Sequence, residues 1–183
     1  MKPVKVGIVG CGNISDIYFT NCQAFEGLEV AACADLILNR AKEKAAKHGV
    51  KKACSVKKLL EDKSIEIVVN LTIPKAHGEV ALAALHAGKN VYNEKPLAVT
   101  REDGLKMLAI AKKKKLRIGV ADMAYAWRNG RRHRANKALT YHVLDIMHAF
   151  HDASDSGTHV TLSSTCERPA PLPMNLPNNA LDR

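Results

Sequence analysis

Up to about residue 121 the sequence alternates short apolar runs with longer segments whose apolar residues recur at helical spacing. Residues 4–9, 29–34, 66–71, 90–92 and 116–120 read as strands, an arrangement that gives a parallel sheet covered on both faces. The intervening helices have readable ends: Asn39 before and Gly49 after the second, Ser55 before a short one, and Gly88 after 77–87. Thr100, with Asp103 three residues on, precedes the helix over 105–114. The predicted fold is α/β, a Rossmann-type doubly wound parallel sheet over 1–121, followed by a C-terminal segment over 122–183. In that segment residues 128–134 form a polar, basic loop. Leu139, Val143, Ile146, Met147 and Phe150 then mark one amphipathic helix. Residues 159–162 suggest a short strand, and Pro169, Pro171, Pro173 and Pro177 an extended arm.

Composition narrows the class. No run approaches the roughly 18 apolar residues of a membrane span. The opening Val4-Lys5-Val6-Gly7-Ile8-Val9 is too short for a signal peptide, so the expectation is a cytoplasmic protein without a membrane partner. Five cysteines with no CxxC pair imply reduced thiols. The net charge of +10 raises nucleic acid as a partner, but +9 of it falls in residues 1–121, mostly as lysines in helix-like stretches. The aromatic interleaving of a base-stacking surface is missing, which disfavours nucleic-acid binding.

The string Gly7-Ile8-Val9-Gly10-Cys11-Gly12-Asn13-Ile14-Ser15 closes the first strand and opens a helix, where unpaired N–H groups and the helix dipole favour a pyrophosphate. Gly10 permits the tight turn, Gly12 lets phosphate approach the backbone, and Ser15 stands at the third glycine position of G-x-G-x-x-G. Cys11 reads as a small loop filler. The second strand ends at Asp35, 25 residues after Gly10, where a carboxylate can take the adenosine ribose hydroxyls and repel a 2′-phosphate. NAD is therefore favoured, with NADP left open by Arg40 nearby.

Two further strings lie at later strand ends. In "NLTIPKAH", residues 70–77, Thr72, Ile73 and Pro74 can line the cofactor, and His77 can approach the nicotinamide ribose or serve as a cap. In "VYNEKPLAVT", residues 91–100, Lys95 can polarise or protonate the oxygen of a substrate undergoing hydride transfer. Glu94 can hold a ribose hydroxyl while Pro96 fixes the backbone that aims Lys95. On the C-terminal helix, Asp145, His148, His151 and Asp152 could be imagined around a metal, but they read as a solvated face, and no metal is expected.

The combination "GIVGCGNIS", "ACAD" and "NLTIPKAHGEVALAALHAGKNVYNEKPLAVT" resembles the Gfo/Idh/MocA family of NAD(P)-dependent oxidoreductases over residues 4 to about 121. The resemblance implies that Lys95 is the active-site lysine and that the Lys95–Pro96 peptide is cis. It implies too that Gly10, Cys11, Gly12, Asn13, Ile14, Asp35, Thr72, Ile73, Pro74, His77, Glu94 and Pro96 surround the dinucleotide. Residues 121–173 resemble the extreme C-terminal portion of the same proteins, so the family's mainly antiparallel substrate domain is missing, with a seam near Ala121-Asp122. The resemblance implies as well that the amphipathic helix packs its apolar stripe on the sheet domain. The implied reaction is hydride transfer with a sugar or polyol, and the expectation is a nucleotide-binding remnant with little or no turnover. A competent abbreviated dehydrogenase is the alternative. Apolar surface left bare by the missing domain would favour self-association.

Overall fold

The computed structural model describes residues 2–25, 27–120, 130 and 133–169. The expected seam, most of the basic loop and the arm beyond Pro169 lie outside them. Thirteen elements are described: β1 (Val4–Val9), α1 (Ser15–Ala24), β2 (Leu28–Ala34), α2 (Leu38–His48), β3 (Ala53–Cys54), α3 (Val56–Glu61), β4 (Ile67–Asn70), α4 (Pro74–His86), β5 (Asn90–Asn93), α5 (Arg101–Lys114), β6 (Ile118–Val120), β7 (Ala135–Asn136) and α6 (Lys137–Ser156). They build one sheet of order β3-β2-β1-β4-β5-β6-β7, in which the first six strands run parallel and β7 pairs antiparallel to β6. Among the described residues no helix is long and apolar enough to cross a membrane.

Strand periodicity sorts the core into two layers. Val4, Val6 and Ile8 of β1, with Ile67 and Val69 of β4, face a layer shared with Phe19 of α1 and Ala41 and Ala45 of α2. Val9 and Val68 face the other layer, which holds Leu59, Ala81, Leu85, Met107 and, from α6, Tyr141 and Leu144. The chain crosses from β3 to the far side of β1 before entering β4, so the order reverses beside β1. In open α/β sheets such a reversal opens a crevice at the carboxyl ends of the strands.

Local chemistry sets most helix ends. The Ser55 hydroxyl accepts from Lys58 N, and the Thr100 hydroxyl from Asp103 N. Two starts differ from the sequence reading. Helix α2 begins at Leu38, ahead of Asn39, because the Asp35 carboxylate already holds the Ile37 N–H from outside the helix. Helix α4 begins at Pro74, three residues before His77, since proline brings no N–H to a first turn whose N–H groups have no intrahelical acceptor.

Helix α6 forms where the spacing predicts it, capped by Asn136, whose side chain accepts from Ala138 N and Leu139 N. Its facing is a correction. Tyr141, Leu144 and Asp145 are buried, whereas Val143, Met147 and Phe150 of the expected inward stripe are 48%, 48% and 72% exposed. The cause lies in α5. A Cβ at Gly104 would meet Leu144 Cδ2 at 3.0 Å and the Tyr141 ring at 3.1 Å, so the bare glycine receives those two side chains. One turn earlier Arg101 Nε donates to Asp145 Oδ1 at 2.7 Å. A notch and an ion pair thus outrank the apolar stripe. Residues 159–162 form no strand; that stretch leads instead to Ser163 and Ser164, which bond Asp145.

Candidate dinucleotide-binding site

The loop after β1 turns at Gly10, whose φ of +99° is left-handed. A Cβ there would also lie 2.6 to 2.8 Å from the Leu71 carbonyl group and Thr72 N, so both conformation and space demand glycine. Ser15 takes the third position by a different device from glycine. It is buried, and its hydroxyl donates to Gly12 O at 2.6 Å, closing the loop onto the first turn of α1. The N–H groups of Gly12, Asn13 and Ile14 have no partner among the described residues, and a Cβ on Gly12 would meet nothing. Three free amides at the amino end of a ten-residue helix suit a bound anion.

Asp35, at the end of β2, is half-buried and turned toward this loop. Its Oδ2 accepts from Cys11 N and its Oδ1 from Ile37 N, each at 2.8 Å. An ionised carboxylate offers about four acceptor positions, so two remain for ribose hydroxyls. Cys11 itself is buried, and its hydrogen bond to Cys33, together with burial, pushes its thiol well above the ordinary range. It stays protonated and fills the loop.

At the ends of β4 and β5 the register sets Asn70 opposite Asn93. Beyond them Ile73 is 69% exposed, with Thr72 half-buried and Pro74 at the surface. Glu94 accepts from the Tyr18 phenol at 2.9 Å. Burial, then Tyr92 and Glu94, push that phenol upward, so it remains a donor. Lys95 is exposed, and its ammonium has no hydrogen bond or ion pair among the described residues; the Lys95–Pro96 peptide is cis.

His77 departs from the expected contact with a nicotinamide ribose. It is 1% exposed, with Nε2 at 2.7 Å from Thr72 O and Nδ1 at 2.8 Å from Pro96 O. Both ring nitrogens thus lie against main-chain carbonyls of two different loops, so the ring is enclosed between them and presents no polar edge to the crevice. Sequence reading missed Asn70 and Asn93, buried at 0% and 4%. Their signal was available: a polar amide closing each of two neighbouring apolar strands.

Around Asp145 the imagined metal set dissolves. Asp145 is 2% exposed, correcting the solvated placement, and is bonded by Arg101, Ser163 and Ser164, while His148 Nε2 meets Val99 O. Among the described residues no group of three or more His, Cys, Asp or Glu could hold a metal ion.

A profile of the oxidoreductase family with an NAD-binding Rossmann fold, Gfo/Idh/MocA, matches residues 4–122. The chain belongs to this family. It is 40% identical to the inositol 2-dehydrogenase of Salmonella typhimurium over 103 residues, 55% of this chain and 31% of that protein. Among solved structures, an NAD-binding protein from Listeria innocua superposes with a TM-score of 0.61 at 33% identity, covering 66% of this chain and 36% of that one. KijD10, a 3-ketoreductase from Actinomadura kijaniata in complex with NADP and TDP-benzene, gives 0.62 at 29% identity, covering 67% and 38%. The chain thus spans about a third of the length of the relatives it matches.

Proposed function

We propose that the carboxyl edge of this sheet binds a nicotinamide dinucleotide, NAD in preference to NADP, and that this chain alone turns over sugar or polyol substrates weakly or not at all. The observation that carries the reading is the set of three amides of Gly12, Asn13 and Ile14, without partners among the described residues, beside a carboxylate, Asp35, with acceptor capacity to spare. The amides and the positive end of α1 take the pyrophosphate. Asp35 takes the adenosine ribose hydroxyls and repels a 2′-phosphate. Leu36, Ile37 and Ile73, all exposed at the same edge, offer apolar contact to the adenine, and Thr72 and Pro74 line the dinucleotide beside them.

When bound, the nicotinamide ring supplies hydride exchange. Lys95, whose ammonium has no partner among the described residues, gives or takes the proton at the substrate oxygen, and Glu94, held by Tyr18, offers its remaining lone pairs to the second ribose. A pocket for a polyol needs a wall facing Lys95. Residues 133–169 contribute a two-residue strand and one helix, and both pack on the nucleotide-binding unit. The described residues supply no such wall to hold a substrate against Lys95, and positioning supplies much of the rate.

Calorimetric titration of NADH and NADPH into the purified chain tests the reading. NADH should bind at least tenfold more tightly than NADPH, and Lys95→Ala should retain that binding. No uptake of either at millimolar concentration defeats it. Reduction of NAD in the presence of myo-inositol, at a rate of a competent dehydrogenase, defeats the turnover clause alone.

A further inference from the structure

Two separate bridges run from Thr72 to the chain just after Lys95, one ending at Leu97 and the other at Pro96. The first is a file of side-chain amides. Thr72 Oγ1 donates to Asn70 Oδ1 at 2.7 Å, Asn70 Nδ2 donates to Asn93 Oδ1 at 2.7 Å, and Asn93 Nδ2 donates to Leu97 O at 2.6 Å. Its direction is fixed at both ends. The Leu97 carbonyl can only accept, and Thr72 N, at 3.3 Å from the same Asn70 oxygen, can only donate, so neither amide can be turned over. The second bridge is His77, between Thr72 O and Pro96 O. Cross-ties stiffen the whole: Asn70 Nδ2 also donates to His77 O at 3.1 Å, and Glu94 N donates to Asn70 O at 3.0 Å.

Every polar group in this assembly apart from Thr72 is buried or on the main chain, in surroundings where hydrogen bonds are strong and successive bonds reinforce one another. The residues before and after Lys95 are anchored on Asn70, His77 and Asn93, while its own side chain has no partner among the described residues. Thr72 stands at the opposite end, half-exposed in the loop that follows β4.

We propose that Asn70, Asn93 and His77 are positioning residues for Lys95, coupling the Thr72 loop to the Glu94–Leu97 loop so that a nucleotide touching the first is felt at the second. This rests on the reading that the crevice takes a dinucleotide.

The test is solution NMR of the backbone amides of the full chain, with ADP as probe, because it lacks both the nicotinamide and the second ribose that Glu94 would hold. ADP should displace the Lys95 and Leu97 resonances as well as those of Gly12 and Thr72. Asn93→Asp, which sets a carboxylate oxygen against Leu97 O, combined with His77→Phe should cut the Lys95 and Leu97 displacements at least fivefold while the one at Gly12 remains. Full displacements in that double variant overturn the coupling. A ligand-free arm decides the matter even if the double variant unfolds. Thr72→Val, which removes only the hydroxyl, should displace the Leu97 amide resonance, and Thr72→Ser should return it. A perturbation confined to residues 70–74 overturns the coupling too. Failure of the wild-type chain to take up ADP counts against the dinucleotide reading and leaves the coupling to this second arm.

Discussion

Asp35 and Asp145 each anchor a segment of this chain, and they do it in opposite states. Asp35 sits half-exposed at the carboxyl edge, spends two acceptor positions on main-chain N–H groups, and keeps the others. Asp145 is 2% exposed and fully engaged: Arg101 holds one oxygen, and the amides and hydroxyls of Ser163 and Ser164 converge on the other. The first carboxylate shapes a loop and still has something to offer a ligand. The second is used up in joining α5, α6 and the segment after α6. A carboxylate's residual bonding capacity, more than its burial, separates a binding role from a structural one.

The contrast is most severely strained by Gly10→Ala. It forces a left-handed φ on alanine and drives a Cβ into the Leu71–Thr72 backbone, displacing the amide that Asp35 holds. We expect a loss of about 3 kcal/mol or more by urea denaturation, with NADH binding abolished. Asp145→Ala should cost about 2 kcal/mol, since it leaves Arg101 Nε and the Ser163–Ser164 amides without their acceptor, while NADH affinity is unchanged. Equal losses of binding in the two variants would erase the distinction.

Acid denaturation sharpens it. Burial alone would push the Asp145 carboxyl up, but the bonds from Ser164, Arg101 and Ser163 outweigh it and hold the group at about 2. A depressed carboxyl contributes stability above its unfolded value near 4 and loses that contribution as pH falls through about 2. Stability should therefore decline between pH 4 and pH 2, and Asp145→Asn should flatten that decline in urea midpoints taken across the range. The smallest effect is expected from Phe150→Ser. With its ring 72% exposed, the variant should shift stability by less than about 0.5 kcal/mol. A loss of several kcal/mol there would restore the inward stripe that the sequence suggested.

Most of the sheet and the loop after β1 could be read from residues because their causes are local. A positive φ calls for glycine at 10, caps at Ser55 and Thr100 bond amides three residues on, and the apolar runs repeat with the period of the strands they form. The facing of α6 could not be read in that way. It depends on Gly104 and Arg101, more than thirty residues upstream, and no periodicity within 137–156 carries that information. His77 falls between these cases. Its place in a motif drew attention to the right residue, but only the register that sets β4 beside β5 shows its ring enclosed between two carbonyls. Asn70 and Asn93 escaped notice for the same reason, since each is an ordinary amide until its neighbour across the strands is known.

The two rims of the sheet are its shortest strands: β3 and β7 have two residues each, and β7 runs against the direction of its neighbours. A second copy seeking to extend the sheet would find about two rungs of open backbone at either side, and at one of them the polarity is reversed. Edge-to-edge polymerisation, the usual hazard of a wide parallel sheet, is thereby denied a template.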